Sequence, residues 1–202
     1  MIIRDASETA LLLVDMQNDF LHPQGAYSRG GAAAPALSAL AKALKQVADT
    51  ARDAGAWVVA TQFTLVPGRN AEPFISPHLK RLRPFLKKGD FAPGSFGHAL
   101  LDELSPADFH VEKIAYSAFY MSRLEWVLRR AGIAHLAVGG IVTNGGVAST
   151  VRDAHVRDFE VTVLEDGCAA FDQSVHDDNI AALRGVAEIA SCADFIQALA
   201  NR

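Results

Sequence analysis

Three features of this sequence could carry chemistry: an acid at Asp15, an amine at Lys113 and a glycine-bearing turn at Gly145-Gly146. Each comes at the end of an apolar run. Ala10–Val14 is unbroken hydrophobic sequence closed by Asp15, Phe109–Lys113 ends on the lysine, and Ala134–Ile141 leads into Val142-Thr143-Asn144 and the two glycines. A carboxylate beside an ammonium is held ionised, whereas burial drives the carboxyl towards its neutral form, so the working state of Asp15 depends on which effect is larger. The same two residues could equally form a plain buried ion pair. Where a strand turns into a helix, the first backbone N–H groups of the helix lack intrahelical partners and point into the crevice, which suits an anion or a developing oxyanion. Glycines let a ligand come close to that backbone. The position that would present a nucleophilic side chain is Gly146, so the turn offers amides and space but no attacking atom.

These groups meet only if the strands that carry them lie side by side and run the same way. The continuous apolar runs are those of parallel strands covered on both faces. Helical spacing over Ala32–Ala54, stopped at Gly55, precedes a second strand, Trp57–Gln62, which ends on Gln62 as the first ends on Asp15. Tyr116–Phe119 leads into a helix through Arg130 with Gly132 as its stop. A helix over Val147–Asp158 follows the glycine turn, then a strand over Glu160–Leu164 finishing at Glu165-Asp166. Val175–Ala187 and Ala193–Ala200 are expected to be the closing helices, with a short strand within Val186–Ala190. This alternation predicts one α/β domain over residues 1–202: three layers, α-β-α, around a doubly wound, mainly parallel six-stranded sheet of Rossmann-like type. Ligands of such sheets bind outside the C-terminal strand ends, where Asp15, Lys113 and the glycine turn all fall.

Segment 63–97, rich in Pro, Gly and basic residues, is too long for an ordinary connection and is expected to be a structured excursion or lid. Arg69 is its most interesting charge, while the 80–83 and Lys87-Lys88 clusters most simply mark a solvated face. Phe20, Tyr116 and Phe119 could wall an apolar substrate pocket or pack in the core. Arg152-Asp153, on the helix after the turn, suggests a structural ion pair.

Composition narrows the function classes. A net charge of -4 and a pI near 5.9 argue against nucleic acid as the main partner. The two cysteines, Cys168 and Cys192, have neither CxxC nor Cys/His spacing, so no zinc site, disulfide framework or cofactor is expected, and a reducing, cytoplasmic setting fits. Cys168 reads as a small buried hydrophobe rather than a displaced nucleophile. The N-terminal apolar run is too short for an export segment and ends in an acid, and no membrane-spanning stretch follows.

Four stretches, LLLVDMQNDF at 11–20, VEKIAYSAF at 111–119, GGIVTNGGVASTVRDA at 139–154 and VTVLEDGCAAF at 161–171, resemble in order and spacing the isochorismatase-like hydrolase superfamily, which includes nicotinamidases, carbamoylsarcosine and ureidoacrylate amidohydrolases and isochorismatases. The resemblance implies an acid at Asp15, a basic partner at Lys113 and a cysteine nucleophile at the position held here by Gly146. It also implies a non-proline cis peptide at Ile141–Val142 that aims the N–H groups of Val142 and Gly146 into the site. Metal-binding nicotinamidases carry Asp-x-His near the second strand. This chain has that spacing only at 108–110 and 153–155, so no metal is implied. Isochorismatases lack the cysteine as this chain does. By analogy with them, Asp15 would protonate a vinyl ether such as isochorismate and pyruvate would be released. Lys113 and Arg69 would then bind substrate carboxylates and Gln62 would orient a polar group. Val14 and Thr143-Asn144, however, match the amidase branch. The rival is a nucleophile-less relative of the cysteine amidohydrolases that binds a small molecule without turning it over. Homodimers or homotetramers are expected from the resemblance alone.

Overall fold

The computed structural model describes residues 5–201, so the expectation of no export segment lies, for residues 1–4, outside the described residues. Six strands, β1 (Thr9–Val14), β2 (Trp57–Phe63), β3 (Phe109–Lys113), β4 (His135–Ile141), β5 (Glu160–Ala169) and β6 (Glu188–Ala190), form one sheet in the order β3-β2-β1-β4-β5-β6. Every neighbouring pair is parallel. The chain builds outwards from β1 to β3, returns to place β4 on the other side of β1, and then builds outwards again. That reversal puts the topological switch point between β1 and β4, where a crevice opens beyond the strand ends.

The sheet holds because both of its faces are covered. Leu11, Leu12, Leu13 and Val14 of β1 are all fully buried, each stabilising the fold by about 1.5–3 kcal/mol relative to exposure. On one face, α3 (Pro35–Asp53) presents Leu37, Leu40, Leu44, Val47 and Ala51 at helical spacing, joined by Phe195 and Leu199 of α8 (Cys192–Ala200). On the other pack Leu124 and Leu128 of α5 (Leu124–Arg130), Val151 and Ala154 of α6 (Ala148–Val156), and Ile180 and Leu183 of α7 (Gln173–Leu183). Between β1 and α3 lie two short helices, α1 (Asn18–Leu21) and α2 (Ala26–Arg29). The 63–97 excursion contains α4 (Pro77–Leu82), and its Leu65, Leu86 and Phe91 join Ala26 and Tyr27 of α2 in a third, smaller apolar cluster. It is therefore a structured excursion, held down by its own core.

Among the element boundaries that differ from the sequence expectation, three bear on the site or its surroundings. The 116–123 stretch is turns and bends, so α5 starts only at Leu124. β5 does not stop at Glu165-Asp166. A register shift against β4 between Val138 and Gly140 lets the two charged residues pass, and Asp166 Oδ1 accepts the Cys192 amide at 2.6 Å. α7 ends at Leu183 instead of Ala187, leaving residues for the link to β6. Among the described residues no helix is long and apolar enough to cross a membrane.

Candidate active site

Asp15 follows β1 in a left-handed conformation, φ 55°, a backbone state that costs a non-glycine residue about 1–2 kcal/mol. Thr61 of β2 helps to hold it there: Thr61 Oγ1 accepts the Asp15 amide at 3.2 Å and donates to Asp15 Oδ1 at 3.0 Å. Lys113, at the end of β3, places Nζ 2.7 Å from Asp15 Oδ2 and donates to the Ala115 carbonyl at 2.8 Å. Both side chains are nearly inaccessible, at 2% for Lys113 and 7% for Asp15. Burial raises the Asp15 pKa above the ordinary carboxylate value, outweighing the opposing attraction of Lys113 and the hydrogen bond from Thr61. The contest left open by the sequence is decided by desolvation, and the carboxyl is poised to hold or release a proton.

Across the switch point, β4 ends in a cis Ile141–Val142 peptide. Thr143–Val147 then winds as a π-helical turn into α6, with the Val142 carbonyl accepting from Gly145 N at 2.9 Å and Val147 N at 3.3 Å. π-turns of this kind are frequent at functional sites. A Cβ placed on Gly146 would stand 3.3 Å from Asp15 Oδ2, 3.2 Å from Val14 Cγ1 and 2.9 Å from the Ile141 carbonyl oxygen. Any side chain at 146 would thus be directed at the Asp15 carboxylate. A Cβ on Gly145 would meet the Tyr116 ring at 3.3 Å, which places that exposed ring beside the turn. The Thr143 hydroxyl is 2.7 Å from His176 Nδ1, tying α7 to the turn.

Of the residues expected at the site, Asp15, Lys113, Gly146, Val142 and Tyr116 lie at or beside these strand ends. Phe20 lies farther out in an aromatic wall, 4.8 Å from Tyr27, 4.5 Å from Phe91 and 6.1 Å from Phe63 between ring centroids. Phe63 connects that wall to the pair, with Lys113 Nζ 5.6 Å from its centroid. Three expectations need correcting. Gln62 Nε2 donates to the His98 carbonyl, which Gln17 Nε2 also engages, so its amide anchors the excursion. Phe119 is a core residue, its ring 5.8 Å from Phe159. Arg69 is exposed on a short 3-10 turn of the excursion, away from the strand ends that carry Asp15 and Lys113. Arg152 and Asp153 do not pair with each other either. Arg152 reaches back to the Ala148 carbonyl, while Asp153 binds Arg157 at 3.0 Å and accepts from Ser117, fixing the 116–119 stretch against α6.

Residues that the sequence did not single out complete the surroundings. Tyr27 of α2 is buried, Arg83 caps α4 and Phe171 follows β5. The Arg83 Nε donates to the Tyr27 hydroxyl at 3.1 Å, so at least one member of the 80–83 cluster does not face solvent freely. Both cysteines are buried, and burial pushes the Cys168 thiol up to about 12 and the Cys192 thiol higher still, which leaves neither as a nucleophile. Among the described residues no group of three or more His, Cys, Asp or Glu could hold a metal ion.

Comparison with known proteins agrees with this geometry. The family model described as "Isochorismatase domain" matches residues 9–194. Ureidoacrylate amidohydrolase RutB of Caulobacter vibrioides is 35% identical over 173 residues, covering 80% of this chain and 77% of that protein. RutB of Stutzerimonas stutzeri is 36% identical over 172 residues, covering 80% and 69%. A cysteine hydrolase from Pseudomonas syringae pv. phaseolicola superposes with a TM-score of 0.84 at 22% identity, over 100% of this chain and 98% of that one, which speaks to the fold. N-carbamoylsarcosine amidase from Thermoplasma acidophilum superposes with a TM-score of 0.72 at 26% identity, over 92% and 96%. With the matched domain spanning almost all of the described residues, this chain belongs to the isochorismatase-like hydrolase family.

Proposed function

We propose that this chain hydrolyses an amide- or ureido-type C–N bond of a small acid, with water as the attacking group and Asp15 as the proton carrier. The observation that carries this reading is the direction of position 146. Any group projecting from it faces Asp15 Oδ2, and here it is a glycine. In its ionised form Asp15 takes a proton from water as the water oxygen bonds to the substrate carbonyl carbon. The N–H groups of Val142 and Gly146 receive the oxyanion that develops. The C–N bond then breaks as Asp15 returns the proton to the departing nitrogen, so no acyl-enzyme forms. A carboxyl raised above its ordinary value by burial is suited to holding the proton that it takes from water and returns to the leaving nitrogen. Lys113 keeps Asp15 oriented and offsets its charge while it is ionised. The names of the relatives, ureidoacrylate amidohydrolase and N-carbamoylsarcosine amidase, favour the bond type.

A second reading, acid cleavage of a vinyl ether such as isochorismate, is favoured by the raised carboxyl itself. Asp15 would protonate the vinyl carbon, water would add to the oxocarbenium ion, and pyruvate would leave. Both readings dispense with a thiolate. One experiment separates them: ureidoacrylate, N-carbamoylsarcosine and isochorismate are each incubated with the protein and with a folded Asp15→Asn variant, and ammonia and pyruvate are followed. Asp15-dependent ammonia supports the first reading and Asp15-dependent pyruvate the second. Neither product from folded protein removes both and leaves a binding role.

A further inference from the structure

We propose that Arg83 is a receptor for a substrate carboxylate and sets the preference of this site for anionic substrates. Three arginines of the described residues are half-buried: Arg52, Arg83 and Arg157. Arg52 pairs with Asp49 and Arg157 with Glu125 and Asp153, whereas Arg83 has no carboxylate within ion-pair distance among the described residues. A guanidinium carries five N–H donors in a planar fork. In Arg83 one goes to the Tyr27 hydroxyl and one to the Leu82 carbonyl, and the others have no acceptor among the described residues. Its charged carbon lies 5.7 Å from the Tyr27 centroid and 5.5 Å from that of Phe171, two rings stacked at 6.0 Å with an interplanar angle of 11°. The side chain is held in place with donors to spare.

The position is the rim of the crevice already described. Phe171 comes two residues after the end of β5, whose last residue, Ala169, pairs with Ile141 at the end of β4. Tyr27 touches Phe20, Phe20 touches Phe63, and Phe63 borders Lys113 Nζ. Burial is the main effect that disfavours the ionised form of the Tyr27 phenol, Arg83 acts the other way, and Tyr116 and Asp15 add smaller effects on the side of burial. The Lys113 ammonium is in contact with Asp15, whereas Arg83 is a rim cation with no carboxylate partner among the described residues. A planar guanidinium fork set on aromatic rings suits a carboxylate, which it can bind through two parallel hydrogen bonds.

This inference deepens the proposed function and relies on it only for where the substrate lies. The test is calorimetric titration of N-carbamoylglycine and of its neutral amide into the parent protein, Arg83→Met and Arg83→Lys. Met keeps an apolar stem against Tyr27 and Phe171, and Lys keeps the charge without the fork. The parent is expected to bind the acid about tenfold more tightly than the amide, in line with hydrogen bonds to a charged group. Arg83→Met should lose that preference with its affinity for the amide unchanged, and Arg83→Lys should retain part of it. A parent that binds both compounds equally, or neither at millimolar concentration, overturns the proposal, as does equal weakening of both by Arg83→Met. Ammonia release followed in the same samples keeps the two ideas apart. Preference for the acid without turnover leaves the receptor standing and removes hydrolysis of this compound, and turnover without that preference does the reverse.

Discussion

The glycine at position 146, beside Asp15, should resist even a methyl group. Gly146 has no positive φ, so alanine meets no backbone objection there and would add about 1 kcal/mol of helix propensity at a helical position. Against that stands packing: the new Cβ would lie 2.9 Å from the Ile141 carbonyl oxygen, a backbone atom, and 3.2 Å from Val14 Cγ1. Forcing an extra carbon into a filled site costs about 1–3 kcal/mol. The net expectation for Gly146→Ala is a destabilisation of about 1 kcal/mol, a fall of about 2–4 °C in Tm for a chain of this size. The methyl would also sit 3.3 Å from Asp15 Oδ2, on the face from which water is proposed to attack, so turnover should fall about a hundredfold. Urea unfolding and thermal melts give the first quantity, and product release from whichever substrate the parent turns over gives the second. An alanine variant at least as stable as the parent and equally active would refute the reasoning, because the space beside Gly146 would then be neither tight nor used.

The raised Asp15 pKa gives a signed pH dependence. Protonated Asp15 favours the folded state fully below the unfolded value near 3.8, and this contribution is lost as pH rises through the folded value. Measured against Asp15→Asn, which does not titrate there, the parent should therefore lose relative stability from about pH 4 upwards and level off above the folded pKa. A difference that grows with pH would mean that Lys113 outweighs burial. Removing one partner of the buried pair, as in Lys113→Met, should cost about 3–5 kcal/mol, while Asp15→Leu with Lys113→Met should cost far less than the sum of the singles. Additive losses in urea unfolding would contradict the coupling inferred from the 2.7 Å contact. Cys168, pushed up to about 12, should resist a thiol reagent in the native protein at neutral pH, and Cys168→Ala should keep full activity. Fast labelling of folded protein at Cys168 would show a reactive thiol where none is expected.

What could be seen in the sequence was whatever is written along a single strand. Unbroken apolar runs in β1 and β4 mark strands buried on both faces, and the first polar residue after each run locates the crevice, so Asp15, Lys113 and Gly146 could be placed together before any contact was known. The π-helical winding of 143–147, set by the bonds that the Val142 carbonyl accepts, left no mark of that kind, nor did the extension of β5 past two charged residues, which depends on the register between β4 and β5. Arg83 was hidden for a different reason. In a run of basic residues every member looks solvated, and only the fold of the excursion brings one of them against Tyr27 and Phe171. Gln62 misled in the opposite direction: it lies one residue short of the end of its strand, and its side chain goes to the His98 carbonyl.

A glycine at position 146 leaves the rest of the site intact, because the other groups of the site are held by contacts that do not involve that position. Asp15 is held by Thr61 and Lys113, Lys113 also by the Ala115 carbonyl, and the turn by the Val142 carbonyl and the contact between Thr143 and His176. A cysteine there would be the last piece added to a cradle already assembled by strand ends and helix packing. With glycine there, Asp15, the Val142 and Gly146 amides and the aromatic wall stay where the fold puts them, and on the proposed mechanism water becomes the attacking group. The division is physical. Groups fixed by the sheet stay with the fold, and position 146, aimed at Asp15 Oδ2, is where a substitution can change the reaction.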